Sequence, residues 1–358
     1  MKQNQDDKVS EGLREKSEEE AFPIKYSIMS YGADYPVDGL VRRIRDGSIY
    51  IPSFQRAFVW DLKTASRFVE SLLLGLPVPG IFLSRDEETQ KLLVIDGQQR
   101  LRTLQYFYDG IFHKTGREFA LKDIESAYEG ATYKSLLDED RRRLDDSIIH
   151  ATIVKQDEPT QDNSSVFHIF ERLNTGGALL NAQEIRTAMY QGEFNDLIGL
   201  LNENTYWRSL YGRVSPRMRD LELILRFLAL YFRGDEYTKP MKEFLNNYMG
   251  SNRHLQRQSA DQIREVFIRS VETISKYIGS TAFRLKATLI AAIYDATVVG
   301  IARRLARGDI HDFEELQKRY ADLLKDEKFI AAVTIHTSDE DNVANRIALA
   351  TDAFADIK

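Results

Sequence analysis

The most distinctive residues of this chain form a turn between a strand and a helix, at residues 94–101 (Val-Ile-Asp-Gly-Gln-Gln-Arg-Leu). The apolar residues predict a strand, the Asp-Gly pair a tight turn, and a helix is predicted from Gln98. At a helix start, unpaired backbone N–H groups point outward and the helix dipole favours negative charge, which suits a nucleotide phosphate. The candidate residues of this nucleotide-handling site are Asp96, Gly97, Gln98, Gln99 and Arg100.

Asp96 carries a negative charge of its own, so it does not favour a phosphate directly. It needs either a magnesium ion between the two groups or a ribose hydroxyl to accept a hydrogen bond from. Asp96 is therefore a candidate magnesium ligand or a candidate acceptor for a ribose hydroxyl. A surface strand–turn–helix with polar decoration explains the segment equally well on its own.

A second segment, residues 51–60, places Gln55 and Arg56 directly after a proline-terminated strand. A guanidinium matches phosphate geometry with two parallel hydrogen bonds, which lysine cannot copy. We predict that Gln55 and Arg56 form the other wall of the site, with Arg56 and Arg100 clamping the phosphates. The aromatic residues of the segment are predicted to be core residues. They are Phe54, Phe58 and Trp60.

A third element is the sequence Asn-Thr-Gly-Gly at residues 174–177. Its glycines permit close backbone approach, and Asn174 and Thr175 offer compact donors and acceptors. On local grounds alone it is a loop that ends a helix.

Composition limits the classes of function. The chain has 358 residues, no cysteine and a formal net charge of −6. Thiolate nucleophiles, disulfides and cysteine-ligated metals are therefore excluded. No run of eighteen apolar residues occurs and the N-terminus lacks the blocks of a signal peptide, so we expect no membrane span and a cytoplasmic location.

Arginine clusters are the one feature that favours nucleic acid. Each cluster is explained by a solvated helix face, but together they leave room for a DNA-facing surface. The candidate nucleic-acid contacts are Arg42, Arg43, Arg141, Arg142 and Arg143.

The pattern of the chain predicts an α+β protein. Residues 1–22 read as an acidic disordered tail, 23–194 as a small α/β domain with a charged helical insertion at 117–147, and 195–358 as an all-helical domain. In the first domain we predict a helix over Val37–Arg45, an N-cap at Asp61, a hairpin around residues 85–90, and a capping box formed by Asn181 and Glu184. In the second, the predicted helices cover 221–232, 241–249, 260–278, 285–307, 312–324 and 341–354.

Together these motifs resemble the N-terminal domain of GmrSD-type restriction endonucleases. The resemblance rests on Ile-Pro-x-x-Gln-Arg-x-x-Val-Trp at 51–60, the proline-rich 76–79, Asp-Gly-Gln-Gln-Arg-Leu at 96–101 and Phe-x-x-Leu-Asn-Thr-Gly-Gly at 170–177, and it spans roughly 36–230. It implies a fold similar to ParB and sulfiredoxin, and a role in bacterial anti-phage defence.

The resemblance also implies nucleotide binding, often with hydrolysis, centred on the Asp-Gly-Gln-Gln-Arg turn. Carried over by position, the catalytic and phosphate-handling set is Asp96, Gln98, Gln99 and Arg100. The ligand would then be a nucleoside triphosphate (NTP) of unspecified base with magnesium as cofactor. Asp96 would position the magnesium or an attacking water, and Gln98 or Gln99 would orient that water. Gln55 and Arg56 form the facing wall, and Asn174 and Thr175 become candidate nucleotide-binding residues.

The chain departs from the family pattern in one respect. Restriction members commonly carry a C-terminal HNH nuclease module, whereas residues 231–358 contain only three histidines, none in such a motif. We therefore expect DNA cutting, if the pathway includes it, to be done by a partner nuclease or another defence protein.

Three functions remain open from the sequence. The first is a nucleotide-binding, NTP-hydrolysing sensor or switch of a defence system that acts with DNA or a partner nuclease. The second is a ParB-like metal-dependent nuclease with Asp96 as a metal ligand. The third is a DNA-binding module without catalysis. A homo-oligomer is compatible with all three.

Overall fold

The computed structural model describes residues 27–51, 58–86, 88–158, 167, 169, 180–285 and 288–358. The described residues up to Met189 form one compact unit, and those from Tyr190 onward form another. The predicted acidic tail, residues 1–22, lies outside the described residues. No helix within the described ranges is long and apolar enough to cross a membrane.

The first unit alternates strands and helices, as the sequence predicted. Its strands are β1 Ser27–Pro36, β2 Ile49–Tyr50, β3 Ile81–Arg85, β4 Leu92–Asp96, β5 Ile111–Phe112, β6 Arg117–Glu118 and β7 Ile148–Glu158. Its helices are α1 Val37–Arg45, α2 Leu62–Leu73, α3 Gln98–Asp109, α4 Asp138–Asp146 and α5 Ala182–Met189.

Five of these strands form one sheet in the order β1-β7-β3-β4-β2. The pairs β1–β7 and β3–β4 are antiparallel, and the pairs β7–β3 and β4–β2 are parallel. One face of the sheet carries the core residues Ile81, Leu83, Ala151 and Ile153, which pack with buried side chains of α1, α2, α3 and α4. The core therefore lies between this face and the helices.

A bulge in the β3–β4 pair turns the end of β4 away from that core. Leu83 pairs with Val94, but its neighbour Phe82 pairs with Asp96, so Ile95 is the extra residue. Paired residues share a face of a sheet, and bulges often re-aim a side chain next to a site. Asp96 is thus placed on the face opposite the core, beside Phe82.

Local signals in the sequence explain where several helices begin. The Asp61 carboxylate accepts from the Thr64 backbone N–H at 2.8 Å, so the predicted N-cap of α2 is confirmed. At α5 the predicted capping box is confirmed as well: Asn181 Oδ1 accepts from the Glu184 N–H at 2.9 Å, and Glu184 Oε2 accepts from the Asn181 N–H at 2.8 Å.

The segment 117–147 differs from the predicted helical insertion. It contains strand β6, a single turn of 3₁₀ helix at Tyr133–Ser135, and α4 as its one helix of the α type. The charged stretch at Asp138–Asp146 is helical, as predicted. The residues before it form turns, with Asp123 and Gly130 at positive φ. Backbone turns of this kind cannot continue a helix.

The second unit is almost entirely helical. Its helices are α6 Glu193–Asn202, α7 Thr205–Tyr211, α8 Arg219–Arg233, α9 Met241–Ser251, α10 Ala260–Thr273, α11 Ala291–Leu305, α12 Phe313–Leu323, α13 Glu327–Thr334 and α14 Glu340–Phe354. Helix α11 is central, because nearly every one of its residues is buried. It packs closely on α14, where the Gly300 position has no room for a side chain beside the Ala350 backbone.

Two features of this unit differ from the prediction. Residues 284–289 contain two short antiparallel strands, β8 Arg284–Leu285 and β9 Thr288–Leu289, where the sequence predicted a helix from residue 285. Helices α6, α7 and α13 were not predicted. They have only 10, 7 and 8 residues, too few turns to give a clear apolar period.

Candidate functional site

The predicted turn between strand and helix is present at the end of β4. Arg100, in the first turn of α3, donates from Nη2 to Asp96 Oδ2 and to the Gly80 carbonyl, both at 2.9 Å. The Asp96 side chain is 47% exposed, whereas that of Arg100 is 16% exposed. Arg100 therefore orients Asp96 and joins the ends of two strands. Asp96 is the group that faces solvent.

Gly97 makes this turn possible. It precedes α3 with a φ of 101°, in the left-handed region, and a Cβ built there would lie 2.4 Å from Ile81 Cγ2. Any side chain at this position would overlap a buried core residue. The glycine is thus required by both backbone conformation and space.

Gln99 links the two motif segments. Its Oε1 accepts from the backbone N–H groups of Val59 at 2.9 Å and Trp60 at 3.3 Å. Lys114 Nζ donates to the Val59 carbonyl at 2.9 Å, so both the N–H and the carbonyl of Val59 are hydrogen-bonded. In the structure Gln99 positions the segment that follows Arg56. The catalytic role predicted for Gln99 stays a prediction.

The aromatic residues of segment 51–60 that the structure describes are packed, as predicted. The Phe58 ring meets those of Tyr106 and Phe112 edge to face, with centroids 5.1 and 5.6 Å apart. Trp60 packs edge to face on Phe68 at 5.7 Å. These contacts fix the segment to α2, α3 and β5.

Four predicted site residues lie outside the described residues: Gln55, Arg56, Asn174 and Thr175. Of the others, Gln98 is half-buried in the first turn of α3. The convergence of Arg56 and Arg100 on one anion therefore stays a prediction. The structure brings together Asp96, Gly97, Gln99 and Arg100 with the backbone of Val59 and Trp60.

Comparison with known proteins gives one family match and one similar solved structure. Residues 37–191 match the family model of the GmrSD restriction endonuclease N-terminal domain. This part of the chain is therefore similar to a GmrSD N-terminal domain. No curated protein is significantly similar to the chain in sequence. A solved structure, the C2221 form of a Pnob8-like ParB N-terminal domain, is 10% identical, with 92% of this chain and 100% of that chain covered and a TM-score of 0.23.

The arginines of the first unit that were predicted to contact nucleic acid are mostly engaged with nearby groups. Arg42 pairs with Asp38 at 3.4 Å, and Arg43 lies over the Tyr35 ring at 5.6 Å. Arg141 pairs with Asp138 at 3.5 Å, and Arg143 with Glu139 at 3.6 Å, while Arg142 is exposed. Helix α4 holds five acidic residues and three arginines, so its net charge is negative. DNA contact through α4 stays a prediction that its charge does not favour.

The first unit carries a further polar pair that the sequence did not indicate. His150 Nδ1 lies 2.8 Å from Asp34 Oδ1, between β7 and β1. The two residues are 116 positions apart, so only the strand pairing brings them together. A period-two pattern in both strands, with the two residues on the same face, is the one signal that could have indicated it.

Proposed function

We propose that this chain is a nucleotide-binding and NTP-hydrolysing sensor or switch of a restriction-type anti-phage defence system. The GmrSD match supports a defence role associated with DNA or with a partner nuclease. One observation carries the nucleotide-binding part of the proposal. The Gln99 side-chain amide binds the backbone of Val59 and Trp60 to the first turn of α3.

In the sequence, Arg56 comes three residues before Val59. Val59 is hydrogen-bonded to Gln99 in the first turn of α3. In this proposal, Arg56 contacts an anion bound at that turn. The proposed phosphate site thus combines backbone N–H groups of a helix start with an arginine from the second segment.

Asp96 supplies the catalytic carboxylate in this proposal. Arg100 fixes its orientation from one side, and its exposed side chain faces solvent. Arg100 itself acts chiefly by holding Asp96 and Gly80, because its Nη2 already donates to both. Its positive charge still lowers the electrostatic cost of a phosphate nearby.

Magnesium fits this donor set in one way only. The described residues contain no group of three or more His, Cys, Asp or Glu side chains that could hold a metal ion. Magnesium in nucleotide sites is commonly held by one or two carboxylates together with substrate phosphates and water. Asp96 would hold it as the protein carboxylate, and the ion would neutralise phosphate charge.

The test is binding and turnover of each NTP, with and without magnesium and DNA, measured by calorimetry and phosphate release. We expect the native chain to bind and hydrolyse at least one NTP. Asp96→Asn should abolish turnover, and Arg56→Ala should weaken binding about 10- to 150-fold, equivalent to roughly 1.5–3 kcal/mol. Unchanged affinity in Arg56→Ala would refute the phosphate-clamp assignment.

A matched control is available on the same helix. Arg45 pairs with Asp109, which ends α3 at the opposite end from Gln98, about 16 Å away along the axis. Arg45→Ala removes one positive charge and one ion pair there, and it should leave NTP affinity unchanged.

The nuclease hypothesis has its own test. If the native chain nicks plasmid DNA with magnesium and Asp96→Asn stops the nicking, the nuclease hypothesis replaces this one.

A further inference from the structure

One row of residues runs across four strands on the face of the sheet that carries Asp96. Asp96 pairs with Phe82, Phe82 with Thr152, and Thr152 with Gly32. Residues paired in register share a face. This face is opposite to the core face of Ile81, so the row leads from Asp96 across the outer face of the sheet.

The Asp34–His150 pair belongs to the same outer face. Asp34 pairs in register with His150, and each lies two residues along its strand from Gly32 and Thr152, which form the end of the row. Alternate residues of a strand point to the same side. Both side chains are accessible, at 60% for His150 and 66% for Asp34.

The position of the His150 ring is built into the fold. The Asp34 carboxylate accepts hydrogen bonds, so Nδ1 of the ring carries a hydrogen and, in the neutral ring, Nε2 is an acceptor. The ring lies directly over Gly32, where a Cβ would come within 2.7 Å of His150 Cε1. Gly32 therefore leaves room for the ring, and Asp34 fixes which nitrogen faces outward.

The row has the length and chemistry of a nucleoside-binding surface. Four neighbouring strands about 4.8 Å apart place Asp96 and Gly32 roughly 14 Å from each other, comparable with an extended nucleotide. Phe82, half-buried next to Asp96, offers an aromatic ring on which a base could stack. His150 Nε2 offers an acceptor for a ribose hydroxyl or an exocyclic amino group.

We propose that Phe82 and His150, the latter held by Asp34, bind the nucleoside part of the ligand whose phosphates lie at Asp96 and the start of α3. The inference rests on the proposed nucleotide-binding function and adds a direction to it. The phosphates lie at the β4–α3 turn, and the nucleoside extends over the outer face of β3 and β7. His150 is a binding residue here and takes no part in the chemistry at Asp96.

The experiment compares inorganic triphosphate with ATP, GTP, CTP and UTP, by calorimetry at one pH and magnesium concentration. We expect the native chain to bind at least one NTP more tightly than inorganic triphosphate. His150→Gln and Asp34→Ala should lower the affinity for that NTP about three- to ten-fold, and Phe82→Leu should lower it about ten-fold. The affinity for inorganic triphosphate should not change in these variants. His113→Gln is the matched control, because His113 is an exposed histidine of the same unit whose ring packs at a tilt against that of Tyr106.

The outcomes separate the two proposals. If the native chain binds neither triphosphate nor NTP, the proposed function fails and this inference falls with it. If NTPs bind but the His150, Asp34 and Phe82 variants bind them normally, this inference alone is overturned. If His150→Gln lowers the affinity for inorganic triphosphate as much as that for the NTP, His150 contacts phosphate. If the native chain binds inorganic triphosphate and all four NTPs with equal affinity, the protein does not bind the nucleoside. Either result overturns the assignment. Circular dichroism of each variant checks that it is folded.

Discussion

At the scale of single residues, Gly97 is the position on which the site geometry depends most. Its φ of 101° is in a region that costs a non-glycine residue on the order of 1–3 kcal/mol, and a Cβ would also overlap Ile81. We expect Gly97→Ala to lower the free energy of unfolding of the first unit by more than the conformational cost alone. It should also weaken NTP binding, since the overlap displaces the start of α3. Thermal unfolding and calorimetry measure the two effects.

Gly110 provides the control, because it ends the same helix with a φ of 77° and has open space where its Cβ would be. Gly110→Ala therefore measures the conformational cost without the overlap. Equal destabilisation by the two substitutions, with NTP affinity intact in both, would show that the contact with Ile81 does not matter.

Single residues also show where sequence reasoning stops. The Asp-Gly-Gln-Gln-Arg turn could be predicted, because an apolar strand, a glycine and a helical period are all local patterns. The role of Gln99 could not, since an amide can position a backbone as readily as it can orient water, and its partners Val59 and Trp60 are 40 and 39 residues away. The bulge that turns Asp96 from the core face is a property of strand pairing, which no local pattern encodes.

At the scale of elements, α3 and α4 are joined by a shared carboxylate. Asp145 Oδ1 accepts from the Tyr108 hydroxyl at 2.6 Å and from the Tyr133 hydroxyl at 3.0 Å, and the two rings stack with centroids 4.1 Å apart. Burial, followed by the bond to Asp145, raises the pKa of Tyr133 to about 12 and that of Tyr108 well above its usual value. Both hydroxyls therefore stay protonated in the folded protein at pH values where unfolded tyrosine ionises.

This predicts a loss of stability at alkaline pH. Unfolded tyrosine has a pKa near 10, so below about pH 10 both states hold the proton and stability is unaffected. As the pH rises from about 10 towards 12, the unfolded state releases protons that the folded state keeps, and the free energy of unfolding falls. We expect Tyr108→Phe and Tyr133→Phe to make this fall shallower, measured by denaturant titration at several pH values.

Tyr106→Phe is the control for this experiment. Tyr106 is on the same helix, but within the described residues its ring packs on Phe58 and His113, and Asp145 accepts from Tyr108 and Tyr133. A pH dependence that changes as much in Tyr106→Phe as in Tyr108→Phe would mean that the shared carboxylate is not its source.

Elements with strong local signals could be predicted, and those set by tertiary packing could not. Helix α1 begins and ends at the predicted residues Val37 and Arg45, since its apolar spacing is regular. The helix predicted over 285–307 begins only at Ala291, because the residues before it pair as strands β8 and β9. Apolar residues at 285, 289 and 290 fit a helical period equally well, so periodicity alone could not separate the two.

At the scale of the whole molecule, the chain has two compact units, and each has its own buried core. The core of the second unit contains a charged cluster: Asp295 on α11 accepts from Arg226 Nη2 at 2.7 Å and from Arg346 Nη2 at 3.0 Å. Arg346 is fully buried, and burial is the main cause that lowers its pKa, with Asp295 acting in the opposite direction. Asp295 thus forms ion pairs with two buried guanidinium groups.

Removal of that carboxylate should destabilise the second unit strongly. We expect Asp295→Ala to cost about 3–5 kcal/mol, because two buried guanidinium groups would each lose their ion pair with Asp295. Amide hydrogen exchange resolved by segment should show the loss of protection in residues 190–358, with NTP affinity unchanged at temperatures where the variant is folded. Asp261→Ala is the comparison: its carboxylate is 97% exposed and pairs with Arg264, so it should cost less than about 1 kcal/mol. If the two substitutions lower the free energy of unfolding equally, Asp295 does not stabilise this core. If Asp295→Ala also abolishes NTP binding in the folded chain, the two units are energetically coupled.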